Sequence, residues 1–256
     1  MNRTLKTGLL ALVGAVLAAR NAGAATTAYA EGDLMLGIRL ADHTGLNYEV
    51  NLGNYSQFTA LNGLSFNLPG VSITDITGQY GATWNQNDTL AWGIGGFDNS
   101  AADDLFVTRR RSNPAAQSTP FNNISFGNAQ NGVTQIGSLG AAFGGRSSTL
   151  NSATALFFDA SNADSYNKRV GASLNFGAVP SSIENGLNMT GGSVVSDLYE
   201  VFPTGSGSQS LYLGYFTFGA SGASFTAAVP EPGAAGLAAL GLVTLVLNNR
   251  LRRKQA

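Results

Sequence analysis

Short segments in which apolar and polar residues alternate are the feature that most limits what this chain can fold into. Residues 33–39, DLMLGIR, place Leu or Ile at every second position, and residues 48–53, YEVNLG, repeat the pattern. Successive side chains of a strand point to opposite faces, so these segments predict two paired strands with apolar faces. Further strands are predicted at 155–158, 172–176, 211–218 and 224–227, with a turn at 219–222 between the last two.

A hairpin is predicted in the middle of the first half of the chain. Residues 79–84 and 89–97 flank the polar sequence Asn-Gln-Asn-Asp at positions 85–88. Two strand-like segments joined by a four-residue polar turn are typical of a β-hairpin.

Two segments carry helical signals. Ile136, Leu139 and Phe143 lie at helical spacing within residues 134–143, and two glycines then end the predicted helix. Residues 194–201 fit either a short helix or a strand, and the proline at position 203 ends either one.

The composition agrees with an all-β fold. Charged residues make up 11% of the 256 residues, whereas about a quarter is usual. Long solvated helices need more Glu, Lys and Arg, while many small polar residues suit strands joined by turns. Residues 25–228 are long enough for one domain with a sizeable core. We therefore expect a single all-β ectodomain, a sandwich or jelly roll, over that range.

The N-terminal segment has the pattern of a secretion signal. Arg3 and Lys6 precede an uncharged run at residues 7–19, which is short for a membrane span. An Ala-Gly-Ala sequence then predicts cleavage by signal peptidase between Ala24 and Ala25, after export by the Sec translocon. Residues 28–30, Ala-Tyr-Ala, offer a second cleavage site, which lies farther from the apolar run.

The C-terminal segment has the pattern of a membrane anchor. Residues 233–249 carry no charge and predict a single transmembrane helix. The basic residues that follow predict a stop-transfer cluster: Arg250, Arg252, Arg253 and Lys254. Because positive charge stays on the cytoplasmic side, the body is expected to face outward from the inner membrane.

A stiff peptide precedes this helix. Pro230 and Pro232 restrict their own backbone and that of the preceding residue, so Val229, Pro230, Glu231 and Pro232 predict an extended segment. An extended peptide is what a processing enzyme needs to accommodate in a groove.

These three parts in order, opposite a signal peptide, resemble the PEP-CTERM sorting signal of exported bacterial proteins. The resemblance covers residues 229–256, and segments such as GDLMLGIR, DDLFVTRRR and YLGYFTFGASGASFTAAVPEP resemble the bodies of such proteins more loosely. It implies processing by exosortase, a membrane-embedded cysteine protease and presumed transpeptidase. It also implies a destination at the cell surface, outer envelope or extracellular matrix, with an exopolysaccharide or biofilm role. It implies no reaction.

The distribution of charge excludes one class of partner. Half of the 14 basic residues lie in the first 20 or last seven positions, whereas all 15 acidic residues lie between Glu31 and Glu231. The central region therefore has eight more acidic than basic residues, and nucleic-acid binding is not expected because it needs a basic face.

The chain is poor in residues that carry chemistry. It has no cysteine and one histidine, His43, which lies in the polar turn Asp-His-Thr-Gly and is predicted to be a solvated loop residue. A zinc site needs several His or Cys ligands, and no nucleophile motif accompanies the histidine. No enzymatic activity and no cofactor are therefore expected. A secreted hydrolase with two carboxylates across a cleft stays an alternative.

Three carboxylates are the candidates for a metal site. Asp98, Asp103 and Asp104 surround a loop, and oxygen ligands in a loop suit calcium. No EF-hand spacing or repeat supports this assignment, so no metal is the main expectation.

A carbohydrate-binding sandwich module is the alternative function. Tyr80, Trp84, Trp92 and Phe97 are candidates to stack on sugar rings, although packing in the core is the favoured interpretation. The three arginines at 109–111 are expected to alternate along a strand and pair with nearby Asp. Binding of an anionic glycan by these arginines is the other interpretation.

Overall fold

A computed structural model describes residues 25–59, 63–68, 70–86, 88–99, 104–113, 115–150, 152–203 and 209–229. The strands are β1 Asp33–Leu40, β2 Leu46–Asn54, β3 Ser65–Asn67, β4 Leu90–Asp98, β5 Asp104–Arg110, β6 Ala155–Asp159, β7 Asn185–Gly186, β8 Val194–Phe202, β9 Gln209–Gly219 and β10 Gly222–Ala227. The helices within these ranges are α1 Ser56–Thr59, α2 Ile73–Tyr80, α3 Phe126–Phe143 and α4 Tyr166–Val170.

All the described strands belong to one antiparallel sheet of ten. Their order is β3-β10-β9-β8-β5-β4-β1-β2-β6, and β7 pairs with β4 beside this path. The prediction of a mostly β protein is confirmed. The predicted sandwich or jelly roll, which needs two packed sheets, is replaced by one sheet that is curled and covered by helices and loops.

The contacts of α1 show that the sheet is curled and that α1 lies on its concave face. This four-residue helix contacts β2 as well as β9 and β10, although four strands separate β2 from β9 in the sheet. One short helix reaches both regions only if the sheet curls around it. Phe58 of α1 packs against three phenylalanine rings at centroid distances of 5.6, 5.7 and 5.0 Å, namely Phe66, Phe216 and Phe225.

The two faces of the sheet carry separate cores. The concave core is formed by alternate residues of the strands, such as Leu36 and Trp92, together with α1 and α2. The convex core lies beneath α3, which contacts β4 and β5, and α4, which contacts β1 and β2. Because both faces are covered, the apolar and the intervening residues of β1 are buried alike.

Most strand predictions are confirmed. The strands β1 and β2 pair antiparallel, with Leu36 opposite Val50. The segments predicted at 155–158, 211–218 and 224–227 lie within β6, β9 and β10, and Ala220 and Ser221 form the turn between β9 and β10. Residues 194–201 lie in β8, which settles the helix-or-strand alternative in favour of the strand.

The hairpin predicted across residues 79–97 is wrong. Residues 73–80 are helical because the Ser72 hydroxyl accepts a hydrogen bond from the Asp75 backbone N–H and caps α2. The Trp84 indole then donates to the Thr77 hydroxyl at 3.1 Å and folds the polar turn back onto the helix. The strand β4 pairs instead with β1 and with β5, the next strand along the chain.

The strand predicted at 172–176 is also wrong. Leu174 and Phe176 have φ angles of 55° and 53°, which are incompatible with an extended strand. This conformation places the buried Phe176 ring over Gly95 of β4, where a Cβ atom would lie 2.6 Å from the ring. A tertiary contact therefore overrides the local apolar pattern.

The predicted helix at 134–143 is confirmed and is longer than expected. Helix α3 begins at Phe126, capped by the Ser125 hydroxyl, and ends at Phe143 before Gly144. Its first two turns lack the apolar spacing that marks its second half.

The sheet divides where β7 enters. Beyond the pair Gly95–Val107, β4 and β5 separate, and the Thr108 hydroxyl bridges the gap by accepting from Ile94 N and donating to Ile183 O. The strand β7 occupies the gap next to β4.

Among the residues that the structure describes, no helix has the length and apolar character needed to cross a membrane.

Candidate functional site

The first described residues are held firmly by the body. The Ala25 carbonyl accepts from the Ser148 backbone N–H at 2.8 Å, and Thr26 forms a β-bridge with Ser147. The buried Thr27 hydroxyl donates to the carbonyl of Phe143 at the end of α3. The chain is therefore part of the fold from Ala25 onward, immediately after Ala24, which lies outside the described residues.

Tyr29 fills a notch in helix α3. A Cβ atom on Gly140 would lie 2.2 Å from the tyrosine ring, so only glycine allows the ring this close. Burial, together with the nearby Asp33 and Glu31 carboxylates, raises the pKa of the Tyr29 hydroxyl well above its ordinary value. The segment that follows the predicted cleavage site thus packs as part of the convex core.

The last strand leads straight to the predicted sorting motif. After β10, Ala228 donates to Leu213 O at 2.8 Å and accepts from Gly63 N at 3.3 Å. The next residue, Val229, has a relative exposure of 73%. The rest of the motif, Pro230, Glu231 and Pro232, and the stop-transfer residues Arg250, Arg252, Arg253 and Lys254 lie outside the described residues.

Two of the three predicted calcium ligands meet at one end of β4 and β5. Asp98 and Asp104 are direct partners across these antiparallel strands. They lie on the concave face, where the Tyr55 hydroxyl donates to Asp98 Oδ2 at 2.5 Å. The Tyr55 ring stacks on Phe106 with centroids 4.4 Å apart. The third candidate, Asp103, lies outside the described residues.

A third carboxylate, which sequence reasoning missed, faces this pair. Glu200 of β8 is the partner of Phe106, which places it on the same face as Asp98 and Asp104. Burial and then the two aspartates raise the pKa of Glu200 to about 7. The hydrogen bond to Asp98 is the main cause that raises the pKa of Tyr55 to about 12.

This acidic cluster does not have the geometry of a metal centre. Within the described ranges, no three His, Asp or Glu side chains are grouped so as to hold a metal ion. Asp98 is used as the acceptor for a tyrosine, and Asp104 is almost fully buried. Burial and the two aspartates disfavour the charged form of Glu200, which is the physical cause of its raised pKa.

The aromatic residues proposed to stack on sugars are core residues. Trp92, Trp84 and Phe97 have relative exposures of 0%, 4% and 6%. Tyr80 is half-buried, and its hydroxyl donates to Leu46 O at 2.8 Å. These four rings are occupied by packing, so the interpretation of them as sugar platforms is wrong.

His43 is an exposed loop residue, as predicted. It lies between β1 and β2 with a φ of 66°, and its Nδ1 lies 2.5 Å from Asn167 Oδ1. Its partner is an amide and not a carboxylate or a hydroxyl nucleophile, so the local geometry is not that of a catalytic triad.

The convex face buries an ion pair that the sequence did not indicate. The Arg39 guanidinium donates from Nε and Nη2 to the two carboxylate oxygens of Glu184, at 2.8 and 2.5 Å. Glu49 lies nearby, fully buried, and accepts from the Tyr166 backbone N–H at 2.7 Å. Burial raises the pKa of Glu49 to about 8, although the hydrogen bond from Tyr166 opposes this rise. These charges hold α4 and the segment before β7 on the sheet.

The three consecutive arginines have separate roles. Arg111 forms an ion pair with the buried Asp197 and lies over the Tyr215 ring at 4.6 Å. Arg109 donates to a backbone carbonyl at 3.3 Å and lies over Phe121. The predicted alternation is confirmed, since Arg110 lies on the opposite face and is exposed. The predicted pairing with Asp is confirmed for Arg111.

Arg110 lines a polar groove of about 400 Å³ at the divided end of the sheet. The other lining residues come from β7, β8 and neighbouring loops: Asp88, Asn185, Gly186, Asn188, Thr190 and Val194. The Asp88 carboxylate lies close above Gly186, where a Cβ atom would be 3.1 Å from its Oδ1. Sequence reasoning noted Arg110 but missed the other members, because their proximity depends on where β7 enters the sheet.

Comparison of the chain with protein-family models, with curated proteins and with solved structures finds no match.

Proposed function

We propose that this chain is an exported structural protein of the cell surface or extracellular matrix. In this proposal, its C-terminal PEP-CTERM signal is recognised and cleaved by exosortase, and the mature body has no enzymatic activity. The observation that carries it is the way the body holds the residues next to the two predicted signals. Ala25, directly after the predicted signal peptide, is hydrogen-bonded to Ser148, and Ala228, directly before the predicted sorting motif, is hydrogen-bonded to Leu213 and Gly63.

The N-terminal contacts support cleavage after Ala24. This cut leaves Thr27 and Tyr29 in the mature protein, where they contact Phe143 and Gly140 of α3. Cleavage at the second site, after Ala30, removes both side chains from the convex core. Loss of the packing of the half-buried Tyr29 ring is expected to cost about 1–2 kcal/mol.

The C-terminal contacts support an accessible processing site. The pairing of β10 with β9 holds the chain up to Ala227, and the hydrogen bonds of Ala228 extend this restraint by one residue. Val229 then projects from the surface. A protease that binds extended peptides needs its motif to be accessible, and the exposure of Val229 supports this at the first residue of the motif.

The body has the properties of a stable scaffold. Ten strands bury aromatic and aliphatic residues on both faces of one sheet. Burial is the main cause that raises the pKa values of Glu49 and Tyr166: Glu49 lies on the convex face and accepts from the Tyr166 backbone N–H, and Tyr166 is the first residue of α4. Their roles are accounted for by packing, which is consistent with a non-enzymatic body.

The sorting proposal is tested in a host that contains exosortase. The sequence at 230–232 is rearranged from Pro-Glu-Pro to Pro-Pro-Glu, which preserves length and composition, and is compared with wild type by fractionation and intact mass. We expect the wild type to lose its tail and leave the membrane, and the rearranged variant to stay in the membrane at full C-terminal length. Identical processing of the two proteins would falsify the proposal.

The N-terminal boundary is tested separately by mass spectrometry of the exported protein. We expect the mature chain to begin at Ala25. A mature chain that begins at Glu31 would contradict the contribution assigned to Thr27 and Tyr29.

A further inference from the structure

The groove beside Arg110 lies where the sheet opens. The strands β4 and β5 diverge after the pair Gly95–Val107, and β7 fills only part of the gap. The buried Asn185 of β7 uses its Nδ2 to donate to Val195 O and to the Ser196 hydroxyl, at 3.0 and 3.2 Å. Its position is therefore set by β8, and the groove has a rigid floor.

Arg110 differs from the two neighbouring arginines because its side chain is exposed and can bind an external group. Arg109 and Arg111 are engaged with aromatic rings and with backbone or carboxylate oxygens on the convex face. Arg110 is exposed and makes no ion pair within the described part of the chain. Asp88 lines the same groove without pairing with it. An arginine left exposed in a body with excess acidic residues is suited to an external anion.

The rest of the groove offers partners for hydroxyl groups. Asp88 provides a carboxylate, and Asn188 provides an amide nitrogen beside the Thr190 hydroxyl, which itself donates to Asn188 Oδ1 at 2.7 Å. Asn185 and Gly186 form the floor. A groove of about 400 Å³ falls within the size range of small-ligand sites. Few apolar groups line it, which favours a highly hydroxylated ligand over an apolar one.

A second polar groove lies on the other side of the turn before β8. It has a volume of about 460 Å³ and shares the neighbourhood of Ser193 and Val194 with the first groove. Small and hydroxylated residues dominate its lining, among them Ser193, Thr217, Ser221 and Ser224. Two polar grooves flanking one turn suit a polymer that extends beyond a single binding site.

We infer that this end of the sheet binds a carboxylated polysaccharide, with the Arg110 guanidinium paired to a sugar carboxylate. The amide, hydroxyl and carboxylate groups of the groove receive or donate hydrogen bonds to neighbouring sugar hydroxyls. The acidic body repels polyanions in general, so recognition depends on this pairing and not on overall charge. The inference rests on the proposed matrix role in one respect only: that role explains where the polysaccharide comes from.

The test uses the full-length protein purified in detergent, with polygalacturonate, dextran sulfate and neutral dextran as probes in 150 mM salt, a concentration at which the Debye length is about 8 Å. We expect polygalacturonate to bind best. Replacement of the bidentate cation in Arg110→Gln is expected to weaken this binding about tenfold. Arg110→Lys, which retains the charge but not the planar fork, is expected to give an intermediate loss.

Matched control variants distinguish binding in the Arg110 groove from attraction by the overall charge of the protein. Lys168→Gln removes one exposed positive charge on α4, away from the groove, and is expected to leave affinity unchanged. Asp88→Asn keeps hydrogen bonding while removing a negative charge, and is expected to retain or improve binding. The inference is overturned if wild type does not bind polygalacturonate, if dextran or dextran sulfate binds equally well, or if Arg110→Gln has no effect. None of these measurements depends on processing of the tail, so failure here leaves the sorting proposal intact.

Discussion

The two faces of the sheet are stabilised by different chemistry. On the concave face, Phe58 and its phenylalanine neighbours form an apolar cluster around α1. On the convex face, Arg39, Glu184 and Glu49 are buried beneath α4 and the segment before β7. The same strands contribute to both faces, because alternate residues point in opposite directions. One sheet therefore combines an apolar cluster around α1, whose contribution to stability is insensitive to pH, with a buried charged cluster beneath α4, whose contribution depends on protonation.

The largest expected effect comes from the concave core. Phe58→Ala removes a fully buried ring and leaves a cavity between β2 and β10, so the free energy of unfolding is expected to fall by about 4 kcal/mol. Urea unfolding measured at several pH values is expected to give the same loss throughout. Leu64→Ala, at a side chain with 61% exposure, is the control and is expected to change stability by under about 0.5 kcal/mol. A loss at Phe58 that varies with pH would contradict the comparison.

Breaking the convex ion pair is expected to cost slightly less. Arg39→Met leaves the Glu184 carboxylate buried without its bidentate partner, and the free energy of unfolding is expected to fall by about 3 kcal/mol. The double variant Arg39→Met with Glu184→Leu removes both charges and is expected to recover most of this loss. Chemical unfolding of wild type, Arg39→Met, Glu184→Leu and the double variant gives the coupling between the two sites. If the double variant is no more stable than Arg39→Met, the loss does not come from an unpaired charge.

Glu49 is expected to make stability depend on pH. Its pKa is raised from 4.5 to about 8 in the folded protein, so the folded state binds more protons than the unfolded state between these values. The free energy of unfolding therefore falls as pH rises through this window, and the difference vanishes below it. Glu49→Gln mimics the protonated form and is expected to be more stable than wild type at pH 8 and equal to it at pH 4.

Urea unfolding at pH 4, 6 and 8 checks this prediction, with Glu200→Gln as the matched variant on the concave face. Because Glu200 is only half-buried and its pKa is raised to about 7, its stabilisation at pH 8 is expected to be smaller than that of Glu49→Gln. A Glu49 variant with the same pH dependence as wild type would show that another group dominates.

The smallest expected effect concerns the N-terminal segment on the convex face. Gly140→Ala forces the Tyr29 ring out of its notch, and this overpacking outweighs the gain in helix propensity by about 1 kcal/mol. Gly127, near the start of the same helix, has open space where an alanine methyl group would lie, with no neighbouring atom within 4 Å. Gly127→Ala is therefore the matched control and is expected to stabilise by about 0.5 kcal/mol. Thermal unfolding that shifts both variants in the same direction would show that Tyr29 does not pack here as described.

The sequence alone was sufficient to predict structural features that depend on residues close together in the chain. The alternation in β1 and β2 follows from the two-residue period of a strand, and the end of α3 follows from its glycines. The sorting segments were inferred from the same kind of local order, of charge, proline and apolar residues, and they stay a prediction. Such patterns act over a few residues, so they are legible without knowing the fold.

Local patterns failed where distant contacts decide the conformation. The apolar residues at 172–176 resemble a strand, but Phe176 packs over Gly95 with a positive φ. Residues 79–84 resemble half of a hairpin, but capping by Ser72 makes the preceding segment helical. In both cases, one tertiary contact or one capping bond outweighs a propensity that is weak for a short segment.

The sequence by itself determined that the chain is mostly β and where most of its strands lie, because both follow from local alternation and turn residues. Only the tertiary structure decided that the strands form one curled sheet and which polar residues share a site. Arg39 and Glu184 are separated by 145 positions, and Arg110 reaches the Asp88 groove only because β7 enters between β4 and β5. These residues meet because the whole chain packs so that both faces of the sheet are buried together. The sequence of a short segment does not specify which distant segment it will contact.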